Sequence, residues 1–215
     1  MQLSSNRVFL QSVARDFKRT GALVPSSKAL AQAMTAELAR HYREGVSVLE
    51  VGAGTGNITE EIARCLSSDD RLDVCEIDRK LASIIRHRLK HDGVFQGVKP
   101  SIRVINKPVE TFAHERRYDF IVSCLPFTNF EPVAVREIFE LYRSLLKPGG
   151  ICSFYEYLLV RKAARLMTSK HASRERFAGV SKVVREYVGG YGYRHKVVLL
   201  NLPPAMVHHI RFPEA

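Results

Sequence analysis

The chain has 215 residues, 46% of them hydrophobic, which is enough for one sizeable core and, by length, one domain. No stretch approaches the roughly 18 uncharged apolar residues of a membrane-spanning helix, and Arg7, Arg15 and Asp16 interrupt the first apolar residues, which argues against a secretory leader. The net charge of +11 lies in the flanks: residues 46–150 hold fifteen cations and fifteen acids, whereas 1–45 hold seven against three and 151–215 eleven against four. That pattern suits an anionic partner, either nucleic acid or a membrane surface, and the expected location is the cytoplasm.

Two helical segments open the chain, 4–19 and 26–42, split by "TGALVPSS". In the first, Phe9, Leu10, Val13 and Phe17 share one stripe, with Arg7, Gln11, Arg15, Lys18 and Arg19 around it. A basic amphipathic helix of this kind lies in the headgroup region of a bilayer, or docks its stripe on its own domain. From Val46 onward strand-like runs (46–51, 72–76, 101–105, 118–123 and 149–156) alternate with helical periodicity (57–66, 79–91 and 131–146). Between residues 157 and 187 eight cations, from Arg161 to Arg185, interleave with Leu166, Met167, Phe177 and Val184. Two closing runs, Tyr193–Leu200 and Ala205–Phe212, are joined by "NLPP" and predict an antiparallel pair. The expected class is α/β, a doubly wound, mostly parallel seven-stranded sheet. Residues 1–45 form its helical cap, 46–156 its core, and 157–215 a basic helix with the closing strands.

The four cysteines (Cys65, Cys75, Cys124 and Cys152) sit apart in apolar runs and form no CxxC pair, as small buried hydrophobes do. His87 and His91 share a helical face but lack a third ligand, and His208 and His209 alternate along a late strand. No metal is expected.

"VSVLEVGAGTGNITEEIA" carries the strongest chemical signal. A buried strand ends in Glu50, and Gly52, Gly54 and Gly56 then turn the chain into a helix, letting backbone N–H groups approach a ligand closely. Glu50 ahead of the turn would repel a pyrophosphate but suits a cationic ligand. The second strand ends in "VCEID", which puts Glu76 where ribose hydroxyls are held in nucleotide-binding folds. With "LPF" after the fourth strand and "LKPGG" before the fifth, residues 46–156 resemble the class I methyltransferases that use S-adenosylmethionine, with their Rossmann-like fold. The resemblance implies that Glu50 holds the amino end of the cofactor, that Gly52, Gly54 and Gly56 wrap it, and that Glu76 takes the ribose. It also places Ile77, Val109 and Ser123 beside the cofactor. Where many members of that family have an Asp near the adenine amino group, "NKPVETF" offers Pro108 and Val109, so adenine contact there falls to backbone atoms.

For the acceptor, "SFYEY" gathers Tyr155, Glu156 and Tyr157 at the end of the fifth strand. Aromatic faces and a carboxylate favour an amine that becomes a quaternary ammonium; strict alternation would instead send two of the three into the core. "CLPF" has Cys124 where ribosomal RNA adenine dimethyltransferases carry Asn or Asp, and a thiol is a poor acceptor. "GALVPSS", "VLEVGAGTGNIT", "CLPFTNF" and "NLPPAMVHHIRF" together resemble the bacterial phospholipid N-methyltransferases of the rhizobial type, whose relatives also methylate ornithine lipids. The resemblance implies an aminolipid substrate, phosphatidylethanolamine or ornithine lipid, methylated at the inner face of a membrane that residues 4–19 and 157–187 touch. On that reading Phe127 and Phe130 line the mouth, Asn129 holds the polar part of the headgroup, and Tyr155 and Glu156 face the amine. Two alternatives stand beside it, an RNA adenine methyltransferase and a cofactor-binding domain that only senses lipid or RNA.

Overall fold

The computed structural model describes residues 26–97, 100–111, 117–158 and 171–213, with the backbone alone for 171–173. The expected helix over 4–19, and residues 159–170 of the second basic stretch, lie outside the described residues.

Seven strands make one sheet: β1 (Ser47–Val51), β2 (Arg71–Cys75), β3 (Ser101–Ile105), β4 (Tyr118–Ser123), β5 (Leu146–Tyr157), β6 (Gly192–Val198) and β7 (Ala205–Arg211). Their order is β3-β2-β1-β4-β5-β7-β6. The first five are parallel, while β7 runs antiparallel to both β5 and β6, so the sheet is mixed. The central strands β1 and β4 are buried at every position, as a parallel sheet covered on both faces requires.

One face carries α1 (Lys28–Arg40), α2 (Asn57–Arg64) and α3 (Arg79–His91), which bury Leu30, Met34, Leu38, Ile58, Ile62 and Ile85. A single turn, α4 (Gly93–Gln96), follows α3 and buries Phe95. The other face carries α5 (Pro132–Leu145) and α6 (His171–Tyr191), with Val135, Phe139, Tyr142, Val180, Val184 and Tyr187 in its core. Val184, expected on a membrane-facing surface, therefore belongs to the interior. Local chemistry starts the helices: the Ser27 hydroxyl accepts from Leu30 N, and the Asp78 carboxylate from Lys80 N and Leu81 N. Fully buried Glu37 ties α1 to β6. It accepts from the Tyr193 hydroxyl at 2.7 Å, lies 3.2 Å from Arg194 Nε and pairs with Arg40.

Several boundaries shift from the expectation by one to three residues, and three of the shifts have a plain cause. β2 ends at Cys75, which frees Glu76 to turn toward the glycine loop. β5 begins at Leu146, before the "KPGG" turn, because Leu146 pairs with Tyr118 ahead of a register shift. β6 ends at Val198, which leaves Leu199 and Leu200 in the hairpin tip.

Candidate functional site

β1 carries Glu50 into the interior, where its side chain is 0% exposed. Thr59, in the first turn of α2, donates its hydroxyl to Glu50 Oε2 at 2.6 Å. Oε1 has no hydrogen-bond partner among the described residues. Burial, reinforced by the Glu76 charge, pushes this carboxyl up to about 8. An orphaned buried oxygen costs free energy that a cationic donor recovers.

The turn after Glu50 needs glycine at specific points. Gly52 has φ 77°, and a Cβ there would stand 3.0 Å from Leu125 Cδ2. Gly54 has φ 61°, and nothing stands within 4 Å of where a Cβ would sit, so its left-handed backbone faces open space. Arg88 of α3 pins this turn from outside: Nη1 donates to Thr55 O at 2.9 Å, Nη2 to Glu60 at 2.8 Å and Nε to Asp92 at 2.7 Å.

Glu76 lies just past β2 with both oxygens engaged, Oε2 by Gly54 N and Oε1 by Asp78 N, each at 2.8 Å. Burial raises its pKa. Each oxygen has a second lone pair, so hydroxyl donors can still bind. Asn106 Nδ2 holds the following backbone, donating to Glu76 O at 2.7 Å and Ile77 O at 3.0 Å. Ile77 is half-buried, and buried Val109 starts a 3-10 turn after β3. Ser123 is fully buried with its hydroxyl 2.8 Å from that of Tyr142, leaving only its backbone to the site. Cys124 N bonds Val51 O and Gly52 N bonds Cys75 O, each at 2.8 Å. The ends of β1, β2 and β4 thus converge where the strand order reverses, the position at which open α/β sheets bind ligands.

The expected acceptor residues separate. Tyr155 and Tyr157 share the α1 face, edge to face with centroids 5.2 Å apart and both half-buried. Burial, then Cys124 and Tyr157, raise the Tyr155 phenol, and Ser26 works against them. Glu156 points through the opposite face and sits 3.3 Å from His208 Nε2, so alternation along β5 parts it from both tyrosines. Phe127 and Phe130 do not line a mouth. Each is 3% exposed, and Phe127 packs on Phe139 and Phe154 at 5.1 and 5.6 Å. The 3-10 turn Phe127–Asn129 folds these rings back under α5, where burial outweighs exposure to a ligand. Asn129 stays half-buried on that turn.

Thr59, Arg88 and Ser26 are the residues that sequence reasoning misses. Thr59 carries a local signal, three positions after Gly56, where the first helical turn passes the strand end. Arg88 carries none, since its role depends on how α3 packs. Ser26 O accepts from Asn57 Nδ2 at 3.1 Å, which ties Ser26 to the residue that follows Gly56. Among the described residues no group of three His, Cys, Asp or Glu is placed to hold a metal, and no helix is long and apolar enough to cross a membrane.

Residues 48–150 match the family described as "Methyltransferase domain". The chain is 29% identical over 143 residues to the ornithine lipid N-methyltransferase of Singulisphaera acidiphila, covering 66% of this chain and 73% of that one. Its fold matches the O-methyltransferase of Bacillus cereus in complex with S-adenosylhomocysteine (TM-score 0.63, 16% identity, 95% of this chain and 91% of that one). It also matches the O-methyltransferase TomG of Streptomyces achromogenes in complex with S-adenosylmethionine (TM-score 0.63, 16% identity, 94% and 88%). The unpartnered oxygen of Glu50 and the open space at Gly54 suit a ligand with a cationic end. The chain carries a class I S-adenosylmethionine-dependent methyltransferase domain, with S-adenosylmethionine as its cofactor.

Proposed function

We propose that the enzyme methylates the amine headgroup of a membrane lipid, ornithine lipid or phosphatidylethanolamine. The observation that carries this reading is the Tyr155–Tyr157 pair, half-buried at the end of β5 beside Cys124. Two aromatic rings inclined at 68° favour a nitrogen that gains positive charge as it is methylated. The likeness to an ornithine lipid N-methyltransferase supports the same acceptor. RNA methylation has no comparable support, because the position that would hold the adenine amine is Cys124. Its thiol is raised well above the ordinary range by burial and by Glu50 and Glu76.

Bound S-adenosylmethionine supplies a methyl group on a sulfonium, a leaving group that needs no protonation. The chain's own residues therefore bind, align and exclude water. Glu50 takes the amino end, and the backbone of Gly52, Gly54 and Gly56 lies along the cofactor. Glu76 accepts from the ribose hydroxyls, Ile77 and Val109 flank the adenine, and Ser123 contributes its backbone. Tyr155 faces the acceptor nitrogen, and Asn129 holds polar headgroup atoms. Glu156, on the far face, takes no part.

The test is incubation with methyl-labelled cofactor and either vesicles of ornithine lipid or phosphatidylethanolamine, or ribosomal RNA. Label on lipid nitrogen, located by mass spectrometry, is the expected result. Label in RNA, or in no lipid, overturns the proposal.

A further inference from the structure

The β6–β7 hairpin inverts the usual distribution of polarity. Its tip, residues 199–204, reads "LLNLPP", and Leu199, Leu200 and Leu202 are 72%, 82% and 76% exposed. Asn201, the polar residue among them, is buried. Asn201 Oδ1 accepts from Ser27 N at 3.0 Å, and its Nδ2 donates to Pro203 O at 2.8 Å. Leu158 N donates to Pro204 O at 2.9 Å. Polar bonds therefore hold the tip from below while three leucines face outward. So much apolar surface on one loop marks an interaction site.

Strand register fixes where this tip lies. Ala205 pairs with both Tyr157 and Val198, so the hairpin turns at the carboxyl end of β5. That is the edge that holds the glycine turn and the tyrosine pair. Ser27 links the tip to Ser26, which bonds Asn57 just after Gly56. Exposed Lys28 follows Ser27, and exposed Lys196 precedes the tip on β6.

We infer that the leucine-tipped hairpin inserts into the interfacial layer of a phospholipid bilayer and seats the catalytic edge on the membrane surface. The inference rests on the lipid reading of the site. An apolar tip bordered by lysines matches the depth profile of a bilayer, with hydrocarbon beneath anionic headgroups. Seating the edge there brings an aminolipid headgroup to the tyrosine pair without removing the acyl chains from the membrane.

Flotation of the full chain with vesicles of phosphatidylcholine and phosphatidylglycerol tests the inference, since these lipids offer no primary amine to methylate. Replacing all three leucines by serine is expected to weaken partitioning by at least about a hundredfold, since each leucine loses apolar burial. Cofactor affinity should stay unchanged, which shows that the fold is intact. The chain has no tryptophan, so the Leu200→Trp variant reports on the tip alone, and its emission should shift to the blue when vesicles are added. Unaltered emission, or serine-variant partitioning equal to wild type, overturns the inference. So does loss of self-association in the serine variant with vesicle binding retained, because the tip would then be a contact between copies. Binding is read without an acceptor. If wild type binds these vesicles through the tip yet labels no aminolipid, the lipid reading fails and the docking surface stands.

Discussion

Thr59 donates its hydroxyl to Glu50 Oε2 across 2.6 Å, while the other oxygen of that buried carboxylate has no partner among the described residues. One side of Glu50 is held in place by the fold, and the other is left for a ligand. The burial that isolates it also raises its pKa to about 8 from an ordinary 4.5.

A carboxyl with a raised folded-state value binds an extra proton in the native protein. Its contribution to stability is full below pH 4.5 and is lost as pH rises toward about 8. The cofactor-free protein should therefore lose thermal stability across that window, and Glu50→Gln should flatten the loss. Cofactor binding at pH 7 should release a proton, seen in calorimetry as an enthalpy that depends on the buffer. The Gln variant should abolish that dependence and weaken binding by roughly 10- to 100-fold, the worth of one charge-assisted hydrogen bond. Buffer dependence that persists in the variant would place the cation elsewhere.

Gly54 and Glu76 form one unit, because the Glu76 carboxylate accepts the Gly54 N–H at 2.8 Å. Gly54→Ala should destabilise the fold by only about 1–2 kcal/mol, the cost of a left-handed alanine. Gly54→Val should put its branched side chain into the open space and abolish cofactor binding while the protein stays folded. Glu76→Ala orphans two backbone donors and should cost about 1–3 kcal/mol in addition to its effect on affinity. Chemical denaturation beside cofactor titration separates these effects. Unchanged affinity in both the Gly54→Val and the Glu76→Ala variants would move the cofactor away from this turn.

Arg88 touches the glycine loop only from behind, through Thr55 O, Glu60 and Asp92. Arg88→Ala should raise the cofactor Kd several-fold and speed amide exchange in residues 52–56. Arg88→Lys should rescue little, since a single ammonium cannot satisfy three partners held by the planar guanidinium. Exchange rates equal to wild type would show that the loop holds its shape without this clamp.

Tyr155 separates an aromatic role from a hydroxyl role. Tyr155→Phe keeps the ring and should retain most activity on the proposed aminolipid acceptor. Tyr155→Ala should lower kcat/KM by about 10- to 30-fold, the range of a desolvated cation–π contact. A Phe variant as impaired as the Ala variant would mean that the hydroxyl is the working group.

The alternation of strands and helices is legible in the sequence because its signals are local: continuous apolar runs, helical spacing and glycine turns each depend on a few neighbouring residues. The proposed cofactor end of the site rests on equally local signals, since Glu50 with its three glycines and Glu76 each follow directly from a strand end. Choices between faces are not local, and only the tertiary structure makes them. Phe127 and Phe130 could face a ligand or the core, and the rings of Phe139 and Phe154 draw Phe127 inward. Tyr155 and Glu156 are neighbours in the chain, yet the sheet lies between their side chains, and the carboxylate sits 3.3 Å from His208 instead. "NLPP" reads as a plain turn until the register of β5, β6 and β7 brings it to the catalytic edge and Ser27 holds Asn201 inward, leaving the leucines outside. Which partner a side chain meets depends on residues scores of positions away, and no short stretch of sequence contains that information.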